Sequence, residues 1–218
     1  MKYYRITNAI EGVGRKFPQV KTAVGNYDVR SESFIGNSKF YFKKVNIDPE
    51  IPEPLLWDSA KLTDLLSSSH MGINKGLIAS DKLKSIIEKA QPEHIQFFRT
   101  KVHHKGNTFK YWYLHPCGNN NDLIDFTRSE IWERSSLKKI KQVNFPDEVS
   151  FRRAQSNPGY PINYVVEHYV LKDNLPDFFI LVSLNIAFGY FVSEAVRRQI
   201  EDAECTGILF LELNESYP

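Results

Sequence analysis

Two stretches of this chain align without a gap when one is shifted by 113 positions, and a chain built on one pattern used twice has few ways to fold. Residues 76–100 read GLIASDKLKSIIEKAQPEHIQFFRT and residues 189–213 read GYFVSEAVRRQIEDAECTGILFLEL. Gly76 meets Gly189, Ser80 meets Ser193, Ile87 meets Ile200 and Glu88 meets Glu201; Ala90, Ile95 and Phe97 meet Ala203, Ile208 and Phe210. Asp81 and Glu194, Lys84 and Arg197, and Leu83 and Val196 agree in chemistry. Each stretch opens with a short apolar run suited to a buried strand. A serine follows that can cap a helix by accepting an orphan backbone N–H. An acid then sits at the positive end of the helix dipole. Leu83, Ile86, Ile87 and Ala90 form one apolar stripe, which Val196, Ile200 and Ala203 repeat less fully. Each stretch ends in a strand, after Pro92 in one and Thr206-Gly207 in the other. The expectation is an internal strand–helix–strand repeat. Read as catalytic pairs, Ser80-Asp81 and Ser193-Glu194 lack the neighbouring base that a serine nucleophile needs.

The remaining chain is expected to supply strands. Residues 3–7 alternate like a strand, Gly12 to Lys16 reads as a turn, and residues 18–38 are polar and irregular. Phe40–Ile47 reads as a strand. Pro49, Pro52 and Pro54 mark a linker into a helix that runs from Leu55 through Leu62 to Leu65 and Leu66. Gly106-Asn107 suits a type II′ turn, with His104 against Phe109, Val102 against Tyr111 and Thr100 against Tyr113. Residues 122–132 suggest a short strand and loop, and residues 137–143 fit a helix or a strand. Residues 145–161 read as loop, and 164–171 and 178–184 as strands. Short strands, hairpins and about three helices without strict alternation predict an α+β fold with mixed or antiparallel sheets. The expected organisation is one domain over residues 1–218, with residues 1–70 as an N-terminal layer and 71–218 as the repeated part.

Composition narrows the function. A hydrophobic fraction of 42%, with 15 Phe and 11 Tyr, supports a globular core. A net charge of +2 is too mild to announce a nucleic-acid binder. The two cysteines, Cys117 and Cys205, form no CxxC and suggest neither a disulfide framework nor a zinc site. No signal peptide is visible, and no run approaches the ~20 apolar residues of a membrane span; a cytoplasmic protein is expected. The hydrolase, P-loop, zinc-protease and dinucleotide signatures are missing. His103 and His104, being adjacent on a strand, point to opposite faces and do not form a metal site with His115. No cofactor, metal or catalytic residue is therefore assigned.

Two surfaces could bind a partner. The hairpin 97–114 carries Arg99, Lys101, His103, Lys110 and Trp112 on one face, which could track a nucleic-acid backbone while Trp112 stacks a base. Acid is segregated elsewhere: Asp48, Glu50, Glu53, Asp58 and Asp64 in one group, Glu201, Asp202, Glu204, Glu212 and Glu215 in the other. Such segregation can steer a charged partner to one side.

Short motifs also carry a resemblance. Met1-Lys2-Tyr3-Tyr4, the segment Leu77–Lys84 before an aromatic hairpin, the stretch Asp122–Glu130, Phe191-Val192-Ser193-Glu194 and Thr206–Phe210 resemble, in this order, bacterial immunity proteins of polymorphic-toxin and contact-dependent competition systems. The resemblance covers most of residues 39–213. It implies a non-enzymatic, stoichiometric binder that neutralises a cognate toxin, in an α+β fold whose shared motifs keep the scaffold. Asp48, Glu50, Glu53, Asp58, Glu201, Asp202, Glu204 and Glu212 are the candidate contact residues, since many toxins that attack nucleic acid are basic.

Overall fold

The computed structural model describes residues 2–15, 17–73, 75–135, 138–156, 159, 162–182 and 188–213. Along the chain come β1 (Tyr3–Asn8), β2 (Val20–Val24), β3 (Glu53–Leu56), β4 (Leu65–Leu66), β5 (Leu77–Ala79) and α1 (Asp81–Lys89). The hairpin β6 (Ile95–His104) and β7 (Asn107–Pro116) follows, then β8 (Ile124–Ser135), β9 (Lys138–Val143) and α2 (Glu148–Ser156). β10 (Ile162–Leu171), β11 (Phe178–Leu181), β12 (Gly189–Ser193), α3 (Glu194–Asp202) and β13 (Ile208–Glu212) complete it. Three sheets result, ordered β2-β3-β6-β7-β5-β4, β11-β12-β1-β13 and β10-β8-β9. Among the described residues, every pairing between these strands is antiparallel except β3 with β6. The protein is α+β.

Helices α1 and α3 form for the same local reasons. Ser80 Oγ accepts from Leu83 N at 3.2 Å and Ser193 Oγ from Val196 N at 3.3 Å, each satisfying one orphan donor. Leu83 and Ile87 of α1, and Val196 and Ile200 of α3, are buried in a single core. The strands around them also correspond. β4 meets β5 at Leu65↔Ala79 and Leu66↔Ile78, and β11 meets β12 at Phe178↔Val192 and Phe179↔Phe191, each pair 113 positions on. An antiparallel strand lies between the two strands of each segment: β7 between β5 and β6, β1 between β12 and β13. Phe97 faces Leu114 in the first, and Phe210 faces Ile6 in the second. Gly76, just before β5, lies so close to the Tyr113 ring that a Cβ there would stand 2.1 Å from it.

Strand alternation sorts side chains into layers. Leu65, Leu77, Ala79 and Leu114 from the six-stranded sheet, with Tyr4, Ile6, Phe178, Tyr190 and Val192 from the four-stranded one, enclose α1 and α3 in the central core. Their neighbours Leu66, Ile78 and Tyr113 face outward onto Phe34, Ile35, Phe40 and Met71. On the far side, Tyr3, Phe179, Leu181 and Phe191 pack on Ile131, Phe151, Val166 and Tyr169 of the three-stranded sheet and α2.

The structure departs from the sequence expectations at several places. Phe40–Ile47 is not a strand: a 3-10 turn spans Ser38–Phe40, and Phe42 has a left-handed φ of 55°. The Gln96 amide substitutes for a ladder there, accepting from Val45 N at 2.8 Å and donating to Val45 O at 3.0 Å. The helix expected from Leu55 to Leu66 is instead β3, a turn and β4. Leu65 and Leu66 face opposite cores, an arrangement natural to a strand. The hairpin pairs His104 with Asn107 and Val102 with Phe109, two residues off the expected register. Its turn residues are Lys105 and Gly106, both at positive φ (51° and 77°), the type I′ requirement. A two-residue slip keeps the faces, so Val102, Tyr111 and Tyr113 still share one side, where all three are buried. β2 lies in the segment read as irregular. α2 lies in the segment read as loop, its first turn held by Asp147 Oδ1 accepting from Ser150 N at 2.7 Å.

Candidate interaction surface

The first acidic group is largely occupied within the fold. Glu50 accepts from Ser33 Oγ at 2.5 Å, Ser31 Oγ at 2.8 Å and Asp28 N at 2.9 Å. These bonds, the one from Ser33 foremost, hold its carboxyl below the usual carboxylate range. Glu53 meets His103 Nε2 at 2.5 Å and Lys101 Nζ at 3.5 Å. Asp48 and Asp58 are exposed. Asp64 crosses to the second segment: its carboxylate accepts from Ser80 Oγ at 2.7 Å, Thr206 N at 2.8 Å and Thr206 Oγ1 at 3.0 Å, with Lys82 Nζ at 3.3 Å. Burial pushes the Asp64 carboxyl up, but the bonds from Ser80 and Thr206 outweigh it and the net shift is downward.

The second group is less engaged, with two of its members in ion pairs. Asp202 and Glu204 are exposed where α3 ends, and Glu204 adopts a left-handed φ of 50°. Glu201 pairs along the helix with Arg197 at 2.8 Å, and Glu212, at the end of β13, pairs with Lys2 at 2.8 Å. Glu201, Asp202 and Glu204 thus share one helix end, while Glu50 and Glu53 belong to the margin of the six-stranded sheet. Glu215 lies outside the described residues.

The basic hairpin face is not open along its length. Lys84 of α1 stacks on both Phe97 (5.0 Å) and Trp112 (4.7 Å), and Arg99 lies 5.6 Å from the Trp112 ring. Trp112 Nε1 donates to Asp81 Oδ1 at 2.5 Å. A ring fixed by two cations and an acid is poorly placed to stack a base. The same device recurs on α3, where Arg197 lies over Tyr4 (4.4 Å) and Phe210 (5.7 Å).

A cavity between Asn121, Phe126, Phe151 and Val166 measures about 10 Å³, room for one water. No three His, Cys, Asp or Glu side chains among the described residues converge as a metal site. Burial raises the thiol pKa of Cys117, and that of Cys205 to about 11, which disfavours the reactive thiolate. Among the described residues no helix is long and apolar enough to cross a membrane. The strand expected after Thr206-Gly207 is β13; what sequence reasoning passed over is its place at a sheet edge, with Leu209 42% exposed, and the signal was an apolar run without a charged residue before Glu212.

No curated protein matches the chain. The family model for the immunity protein family Imm11 matches residues 2–215, taking in all three sheets and all three helices. A match over nearly the whole chain places this protein in the Imm11 immunity protein family.

Proposed function

We propose that this protein neutralises a cognate bacterial toxin by binding it stoichiometrically, with no chemistry of its own. Membership of an immunity protein family over residues 2–215 is the observation that carries this reading. The partner is a toxin protein, met in the cytoplasm of the cell that is protected. A stable inhibitory contact needs a preformed patch of about 800 Å² on each partner, centred on a few anchors.

Of the candidate contact residues, Asp202 and Glu204, with exposed Asp48 and Asp58, are available to a basic toxin, while Glu201 and Glu212 would have to exchange Arg197 and Lys2 for it. Glu50 and Glu53 contribute less directly, because their oxygens already serve Ser31, Ser33 and His103. The test is co-expression with the product of the adjacent gene. Cells are expected to survive, and a one-to-one complex to survive gel filtration. Failure of both protection and complex formation refutes the proposal.

A further inference from the structure

An exposed sheet edge is a row of unpaired backbone donors and acceptors, and folded proteins normally blunt it. Six strands end the three sheets: β2, β4, β9, β10, β11 and β13. Five carry a recognisable device. β2 has Lys21 and an irregular register between Val20 and Thr22. β4 is two residues long. β9 carries Lys138, Lys139 and Lys141, and β10 changes register on both sides of His168. β11 is clamped by side chains: Ile180 N donates to Asn120 Oδ1 at 2.9 Å, and Val182 N to Asn121 Oδ1 at 2.8 Å.

β13 has none of these. Its sequence, Ile208-Leu209-Phe210-Leu211-Glu212, contains no Lys, Arg or Pro, and its register with β1 is regular. Leu213 N donates to Tyr3 O at 2.8 Å and Ala9 N to Gly207 O at 3.0 Å, so the odd-numbered residues pair with β1. The backbone groups of Ile208, Phe210 and Glu212 therefore point to the open side, where no strand lies among the described residues. Exposed Asp202 and Glu204 precede this edge in the chain, and Glu212, paired with Lys2 at 2.8 Å, closes it.

We propose that β13 is the strand to which the toxin adds an extended segment, apolar at alternate positions and flanked by lysine or arginine. This rests on the toxin-binding reading and names the surface and the chemistry it recognises. Main-chain pairing would supply affinity and the acidic ends the choice of partner and direction. Charge selects this occupant over a second copy of the chain: parallel pairing of β13 with itself sets Glu212 beside Glu212, and antiparallel pairing sets Glu212 opposite Ile208, so in neither direction does β13 offer the exposed Asp202 and Glu204 a cation.

The probe is the peptide KKVTVTVKK, titrated into the full chain and followed by backbone amide NMR, with EEVTVTVEE as its counterpart. The lysine peptide is expected to shift the amides of Ile208, Phe210 and Glu212, and the acidic peptide to bind about tenfold more weakly. Leu209→Lys places a cation on the edge, and Glu212→Pro removes an outward N–H at a position where edge strands tolerate proline. Each is expected to weaken the peptide about tenfold; if Glu212→Pro unfolds the chain, Leu209→Lys decides. Shifts confined to another surface, equal binding of both peptides, or no binding at millimolar peptide overturns the proposal. In cells, loss of protection by folded Leu209→Lys supports it. Full protection by that variant overturns it while leaving the toxin-binding reading intact. A wild-type chain that fails to protect sinks that reading instead, and the peptide map then decides this one alone.

Discussion

The two strand–helix–strand segments place several corresponding side chains alike, yet they obtain their middle strand differently. In residues 76–100 that strand is β7, delivered by a tight hairpin from β6. In residues 189–213 it is β1, from the other end of the chain, pairing Tyr3 with Ser193 and Tyr4 with Glu212. Packing is indifferent to this change of connection. Lys84 over Phe97 and Trp112 becomes Arg197 over Tyr4 and Phe210, and the ion pair Lys84–Glu88 becomes Arg197–Glu201. What the segments do not share is charge at the helix end: Lys89 and Gln91 in the first, Asp202 and Glu204 in the second, although Gln91 and Glu204 have the same φ of 50°. Residues that differ on a common backbone are those the scaffold does not require.

The largest effects should come from the core that both helices share. Ile87→Ala and Ile200→Ala each remove a fully buried side chain from it. Each is expected to cost ~2–5 kcal/mol in urea unfolding, as transfer and cavity terms add. A cost near zero for either one breaks the claim that α1 and α3 support one core.

Asp64 and Asp177 sharpen the comparison at intermediate size. Both carbonyls accept from the cap serine, Ser80 N at 2.8 Å and Ser193 N at 2.9 Å. Only the Asp64 carboxylate reaches across to the other segment, at Thr206. Asp64→Asn is therefore expected to cost ~1–3 kcal/mol at neutral pH, and exposed Asp177→Asn within about 0.5 kcal/mol. The Asp64 pKa is lowered on folding, so the folded state favours its ionised form. Its contribution is complete above the unfolded value of about 3.9 and is lost as pH falls through the folded one. The stability gap between wild type and Asp64→Asn should close below about pH 4; a gap that stays constant into acid would assign the loss to shape instead of charge.

How much of this was legible follows from range in sequence. Caps and stripes are local, so α1 and α3 could be read from Ser80, Ser193 and the isoleucines that follow them. The hairpin could be read from Gly106, but its register depended on Lys105 accepting a positive φ, which the residue type does not announce. Leu55, Leu62, Leu65 and Leu66 fit helical spacing, and only the partners β2, β5 and β6 make strands of their neighbourhood. The role of β1 was hidden for the same reason, since its partners lie at the far end of the chain. At the surface, the acidic residues could be counted, but Glu50 and Glu53 could not be told from Asp202 and Glu204 until Ser31, Ser33 and His103 were seen to claim them.

The smallest expected effect on stability tests the comparison most directly. A cation suits the negative end of a helix dipole and an anion does not, by ~0.3–1 kcal/mol. Lys89 obeys this rule on α1 and Asp202 violates it on α3. Asp202→Lys should therefore raise stability slightly, and Lys89→Asp should lower it by a similar amount. If the acid at the end of α3 is kept for a basic toxin, Asp202→Lys should also weaken protection in cells while Lys89→Asp leaves it unchanged. A stabilised chain that protects less well would mean that Asp202 is retained against the preference of its own helix; equal protection by both variants would return it to the solvated surface.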